Sequence, residues 1–166
     1  MKLLLASMRL LVPMTAFSMD ATPDASFYNS AARDGLFEVE VGKLAEGNTA
    51  SQHVKDFGAM IVKDNGVANE KLPALAGSKN GNLRTSPSKG QMAKNAELEV
   101  LSGEPCDKSY MESQMEAHRQ AIALFKREIA TGSDVDAKAF AISAPPTLRA
   151  HFAAIKLIAA PAEVTA

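Results

Sequence analysis

Four polar side chains stand where apolar ones would be expected: Glu38, Asn65, His118 and His151. A carboxylate, an amide and two imidazoles can carry protons or ligate a cation. Taken singly, each is an ordinary core residue satisfied by one neighbour. Taken together they are harder to bury, because each would cost several kcal/mol unless it meets another, a water or an ion. A shared polar cluster is the economical expectation. Its occupant could be water, a proton shared between Glu38 and a histidine, or one metal ion. Imidazole and carboxylate donors suit zinc or copper.

Other chemistry is poorly supplied. Ferritin-like di-iron sites need Glu-x-x-His pairs on two helices. Three residues before His118 stands Met115, and three before His151 stands Leu148. Glu116 points about 160° away from His118 on a helical wheel of 100° per residue. The sequence has no Gly-rich phosphate loop, no His-Glu-x-x-His and no Gly-x-Ser-x-Gly. Cys106 follows Pro105 with no histidine nearby in sequence, which reads as a packed, inert thiol. His53 falls at the edge of an apolar face and reads as surface. Met60, Met92, Met111 and Met115 are too scattered for a copper-carrying cluster and read as gap fillers.

The elements that would position these residues are helices. Asp24 can cap one running to about Glu46, where Gly47-Asn48 stops it. Thr49 and Gln52 resemble a capping box for a second, which Pro73 should end or kink near Leu72. Residues 77–90 form a polar connection, and a short helix follows over about 89–101. A longer helix starts near Pro105, a favoured first-turn position for proline, and reaches Ala130. The last helical region runs from Asp134 to about Ala160, interrupted at Pro145-Pro146. On the wheels, Glu38 lies among Phe27, Ala31, Val41 and Ala45, and Asn65 among Phe57, Ile61 and Leu72. His118 lies among Met111, Met115, Ile122 and Phe125, with Asp107 and Gln114 close to the same stripe. His151 lies among Leu148, Ala154 and Ile155.

Composition agrees. Aromatics are 5% with no Trp, while helix formers dominate, so a β-sandwich or barrel is disfavoured. The net charge of −1, without a basic cluster, argues against a nucleic-acid partner. One Cys excludes an internal disulfide framework. The expected fold is all-α: an antiparallel four-helix bundle with a short extra helix between helices 2 and 3.

The N-terminus has the build of a secretory leader. Lys2, an apolar run to Phe17 and the small-residue exit Ala16-Phe17-Ser18 place a signal peptide over 1–18 and the bundle domain over 19–162. Arg9 splits the run into two stretches, neither near the ~20 apolar residues of a membrane span. Without Lys2 and Arg9 the chain carries 16 basic against 19 acidic residues. A periplasmic or secreted protein with no integral span is expected, with peripheral envelope association as its setting.

The stretches from Phe27 to Ala45, from Val54 to Asn65, from Cys106 to Met111 with His118 beyond, and from Pro146 to His151 resemble the ordered blocks of one family. It is a bacterial domain-of-unknown-function family with a ferritin-like fold, often labelled outer-membrane or exported protein. The resemblance implies a ferritin-like bundle, export and no settled biochemical role. The family's Asp-His pair is Asp64-Asn65 here, which replaces one candidate ligand by an amide. Cys106 stands where an apolar aromatic is more usual.

The expected function is therefore a non-enzymatic exported bundle for envelope or stress tolerance or for binding a protein partner, with no cofactor. The alternative is a metal-binding or metal-dependent redox protein holding one zinc, copper or iron ion on Glu38, His118 and His151.

Overall fold

The computed structural model describes residues 22–77 and 83–159. The expected leader over 1–18 and the expected domain end at 162 lie outside the described residues. Six helices make up the described chain: α1 (Pro23–Asn48), α2 (Gln52–Ala76), α3 (Lys89–Val100), α4 (Glu104–Thr131), α5 (Val135–Ser143) and α6 (Pro145–Ala159). Among the described residues the only β-type pairing is an isolated bridge between Thr49 and Gly103.

Local chemistry sets the helix ends, in places differently from the sequence reading. Thr22, not Asp24, caps α1 by accepting the Ala25 N–H. Asp24 lies inside the first turn and serves a distant one, as described below. The Thr49–Gln52 capping box does not form. Ser51 is the N-cap of α2 without a side-chain bond. The Asp107 carboxylate of α4 accepts the N–H groups of Ala50 and Ser51 in its place, at 2.8 and 3.1 Å. Pro73 does not end α2, which continues to Ala76. A proline removes one helical donor; here that happens in the last turn, where the Gly77 N–H closes on the Pro73 carbonyl. A true capping box, Ser88 with Gln91, starts α3. Asp134 caps α5 by accepting from Asp136 and Ala137.

Helices α1 and α2 pack along their length, antiparallel, across a three-residue connection. Their backbones come close at Gly42 and Gly58. A Cβ on Gly58 would sit 2.8 Å from the Gly42 carbonyl, and one on Gly42 2.9 Å from the Gly58 carbonyl. Only glycine lets two backbones approach so nearly. Helices α4 and α6 also pair antiparallel, and α4 runs antiparallel to α1. Helix α3 lies against α1 through the buried Leu98, the Gln91–Asp34 hydrogen bond and the Asn95–Glu40 contact.

The apolar interior is not continuous. One cluster gathers Phe37, Val41, Val54, Phe57, Ile61, Leu98, Cys106, Tyr110, Met111 and Ile155. A second gathers Phe27, Tyr28, Leu72, Phe125, Ala137 and Ala141. Along α2, α4 and α6 the residues separating them include Asn65, His118 and His151, and Glu38 borders the same gap on α1. Met111 is buried and Met60 and Met115 pack against the first cluster, as expected of gap fillers, but Met92 is exposed.

Candidate cleft and its polar floor

His118 and His151 are both buried, and His118 Nε2 lies 3.3 Å from His151 Nδ1. Their rings meet edge to face at 5.4 Å between centroids, with Phe57 tilted or edge-on to each. The outer nitrogens are tied down. His118 Nδ1 is 3.0 Å from the Gln114 carbonyl, one helical turn back, and His151 Nε2 is 2.9 Å from Asp64 Oδ2 on α2. The result is a chain: Gln114 carbonyl, His118, His151, Asp64.

The chain constrains its own protons. A carbonyl only accepts, so His118 Nδ1 carries hydrogen and the neutral ring presents a lone pair at Nε2. A carboxylate also accepts, so His151 Nε2 carries hydrogen too. A hydrogen bond across the 3.3 Å contact then requires a proton on one inner nitrogen, which makes one ring an imidazolium. Burial, then the His151 charge, lower the His118 pKa to about 4, against a smaller opposing effect of the Gln114 carbonyl.

Glu38 shares the cleft with both histidines but hydrogen-bonds neither. Its carboxyl group is buried, and both oxygens lack a partner among the described residues. Burial pushes its pKa up to about 8. The Gln114 amide beside it pulls the other way without completing a hydrogen bond, and Asp34 adds to the rise. Next to it the Gln114 amide atoms and the Tyr110 hydroxyl are equally unpartnered. Burial, then the charges of Glu38 and Glu46, push the Tyr110 hydroxyl well above its usual range. Asn65 is only half-buried, and its amide donates to the Ile61 carbonyl at 3.2 Å. It lines the wall of the cleft and joins neither histidine.

These groups border a cleft of about 330 Å³ between α1, α2, α4, α5 and α6. Glu38, Asp64, Asn65, His118 and His151 line one end. Ala31, Leu72, Leu124, Phe125, Phe140 and Leu148 line the rest, with Asp34, Lys71 and Gln91 also on its boundary. Such a volume falls within the usual range for small-molecule sites. Among the described residues no three His, Cys, Asp or Glu side chains are grouped to hold a metal ion.

The structure brings His118 and His151 into contact from α4 and α6; the remaining partners differ from those that sequence reasoning offered. That reasoning missed Asp64 as the partner of His151, although the family resemblance ran through that position. It noted Gln114 near the stripe without giving it a role, and it passed over Tyr110. Cys106 is buried in the first core cluster, where burial, then Asp107, raise the thiol pKa; it lies outside the cleft. His53 is exposed.

A second polar knot was not anticipated. Asp24 accepts the Ser133 N–H and hydroxyl at 2.8 and 2.6 Å and the Asp134 N–H at 3.0 Å. Tyr28 donates to Asp134 at 3.3 Å. Burial alone would raise the Asp24 carboxyl, but these bonds and Glu128 outweigh it and hold it below the usual carboxylate range. Glu128 is pushed up to about 7 by burial and then by Asp24. The knot pins the start of α1 to the turn between α4 and α5.

Comparison with known proteins agrees with this architecture. A family model described as "Domain of unknown function (DUF4142)" matches residues 12–158. Among solved structures, the chain is similar to a DUF305 protein from Streptomyces coelicolor whose name marks it as a candidate secreted protein. The TM-score is 0.67 at 16% identity, covering 84% of this chain and 91% of that one. No curated protein matches the sequence. No described helix is long and apolar enough to cross a membrane.

Proposed function

The chain belongs to the DUF4142 family, and from the geometry of its cleft we propose that it is an exported, non-enzymatic binding protein. Its helices are read as an antiparallel, ferritin-like four-helix bundle, with α5 and α6 forming the fourth leg and α3 the extra helix. The secretory build of 1–18 and the fold likeness to a protein named as a candidate secreted one support export to the periplasm or beyond. Envelope or stress tolerance, peripheral association and a protein partner complete that reading.

One observation carries the binding role. A cleft of about 330 Å³ divides the core and ends on a buried carboxyl group that no described side chain satisfies. A polar layer serving only to fix helix register would close on itself. Catalysis is disfavoured because each histidine has both ring nitrogens engaged, leaving none to activate a nucleophile. Saturable binding of the neutral dye N-phenyl-1-naphthylamine to the chain beginning near Met19 is the test. Ala121→Leu, which narrows the cleft, should weaken it; absence of saturable binding to the unaltered chain overturns the reading. Intact mass of the exported protein tests the leader, and recovery of only full-length chain counts against it.

A metal ion on Glu38, His118 and His151 remains a second reading with one observation in its favour. Both inner imidazole nitrogens face each other while outer partners fix their rings, as hydrogen bonds to the far nitrogen do for metal-bound histidine.

A further inference from the structure

The floor of the cleft carries information about the head group it would accept. Glu38 is buried and, among the described residues, makes no salt bridge and has neither oxygen hydrogen-bonded. A buried carboxyl without a counter-ion is held as the neutral acid, since ionising it would strand a charge away from water. A neutral carboxyl group offers one O–H donor and one carbonyl acceptor on the same edge. The complementary edge has one donor and one acceptor at the same spacing. A primary carboxamide or a lactam presents it.

Above that floor the lining is mixed: Ala31, Leu72, Phe125 and Leu148 give it an apolar side, and Asp34, Asn69, Lys71 and Gln91 a polar one. From Glu38 to Ala31 is seven residues of α1, about 10 Å at 1.5 Å per residue. Leu72, Phe125 and Leu148 face that span from three other helices. A short hydrocarbon chain fits this length along the apolar side. A charged head would fare worse. A carboxylate at the floor would approach Asp34 and Asp64, while Lys71 of the lining stands two turns along α2 from Asp64, and an ammonium would have to ionise the buried Glu38.

We propose that the cleft takes an uncharged amphiphile, a short hydrocarbon chain ending in a primary carboxamide or lactam, whose head exchanges two hydrogen bonds with the Glu38 carboxyl group. The inference rests on the reading of the cleft as a binding site.

Displacement of N-phenyl-1-naphthylamine by hexanamide, hexanoate and hexylamine at pH 7 tests it. Hexanamide should compete roughly tenfold or more better than either charged analogue, the scale of one or two net hydrogen bonds. Glu38→Gln retains a donor and an acceptor and should keep that preference, whereas Glu38→Leu should abolish it. If Glu38→Leu does not fold, the preference in the unaltered chain and in Glu38→Gln still decides. Equal competition by all three, or better competition by a charged analogue, overturns the head-group assignment and leaves the binding role standing. No dye binding and no competition at all would remove both.

Discussion

His151 stands between His118, 3.3 Å from its Nδ1, and Asp64, 2.9 Å from its Nε2, so one imidazole joins α4 to α2 through α6. Because both outer nitrogens face acceptors, the inner contact holds only with an added proton or cation between the rings. Asp64 is the carboxylate that holds the outer nitrogen of His151.

Asp64→Asn should therefore weaken the histidine contact as well as its own. Hydrogen bonds to charged groups are worth ~1.5–3 kcal/mol when buried. The Asp64 side chain is 35% exposed, so screening reduces this to about 1 kcal/mol. A double-mutant cycle of Asp64→Asn with His151→Gln, read by urea denaturation, should show coupling of that size. Additive losses would mean that the two side chains act independently.

The sequence exposed the helices and three of the polar positions, because periodicity is a local property that each helix writes along itself. It was blind where the partner is distant in sequence. Asp24 looked like a cap because it opens a helix, yet its carboxylate is used by Ser133 and Asp134 on the far side of the bundle. Asp64 sits beside Asn65 at the edge of the stripe on α2, and only the placement of α6 makes it a histidine partner. Asn65 had the more central wheel position and turned out to bond its own helix. Wheel position reports depth; it does not report which helix stands opposite.

Glu38→Gln should flatten the dependence of stability on pH. Burial pushes the folded carboxyl up to about 8 from its ordinary value of 4.5. Below 4.5 both states are protonated and the residue is silent. As pH rises, the unfolded chain sheds the proton while the fold retains it, so stability falls until about pH 8. At ~1.4 kcal/mol per unit this is at most roughly 5 kcal/mol, and a few kcal/mol is expected once water reaches the ionised group. Urea midpoints at pH 5, 6.5 and 8 should converge at low pH and favour Glu38→Gln at pH 8. Glu128 titrates in the same window in both proteins, so their difference isolates Glu38. Parallel curves would show that Glu38 ionises normally.

Gly58→Ala and Gly66→Ala should move in opposite directions. Alanine gains roughly 0.8–1 kcal/mol over glycine in a helix interior. At Gly66 a Cβ meets nothing within 4 Å, so that gain should appear, raising Tm by roughly 2–4 °C. At Gly58 the Cβ would lie 2.8 Å from the Gly42 carbonyl and 3.1 Å from the Ala45 Cβ. Neither can swing away, and overpacking of this kind costs ~1–3 kcal/mol. Circular-dichroism melts of the pair test the crossing of α1 and α2. A stabilised Gly58→Ala would place the helices farther apart than described.

His118→Ala separates the two readings of the polar floor. Truncation removes a ring that packs against Phe57, opens a void, and leaves the inner nitrogen of His151 without its partner. It does not strand Glu38, which the sequence alone suggested as the partner of this histidine. Breaking one side of a buried charged contact costs ~3–5 kcal/mol, a large share of the ~5–15 kcal/mol that holds a domain together. If the histidines only bond each other, that loss should be the same in chelator, zinc and copper. If they hold a metal, the unaltered chain should gain RT ln(1 + [L]/Kd) on adding it, and His118→Ala should gain nothing. The first outcome is expected, because among the described residues Glu38 completes no third ligand with the two histidines. Thermal melts of both chains in the three buffers decide it: a zinc- or copper-dependent rise confined to the unaltered chain would replace the non-metal reading with the metal one.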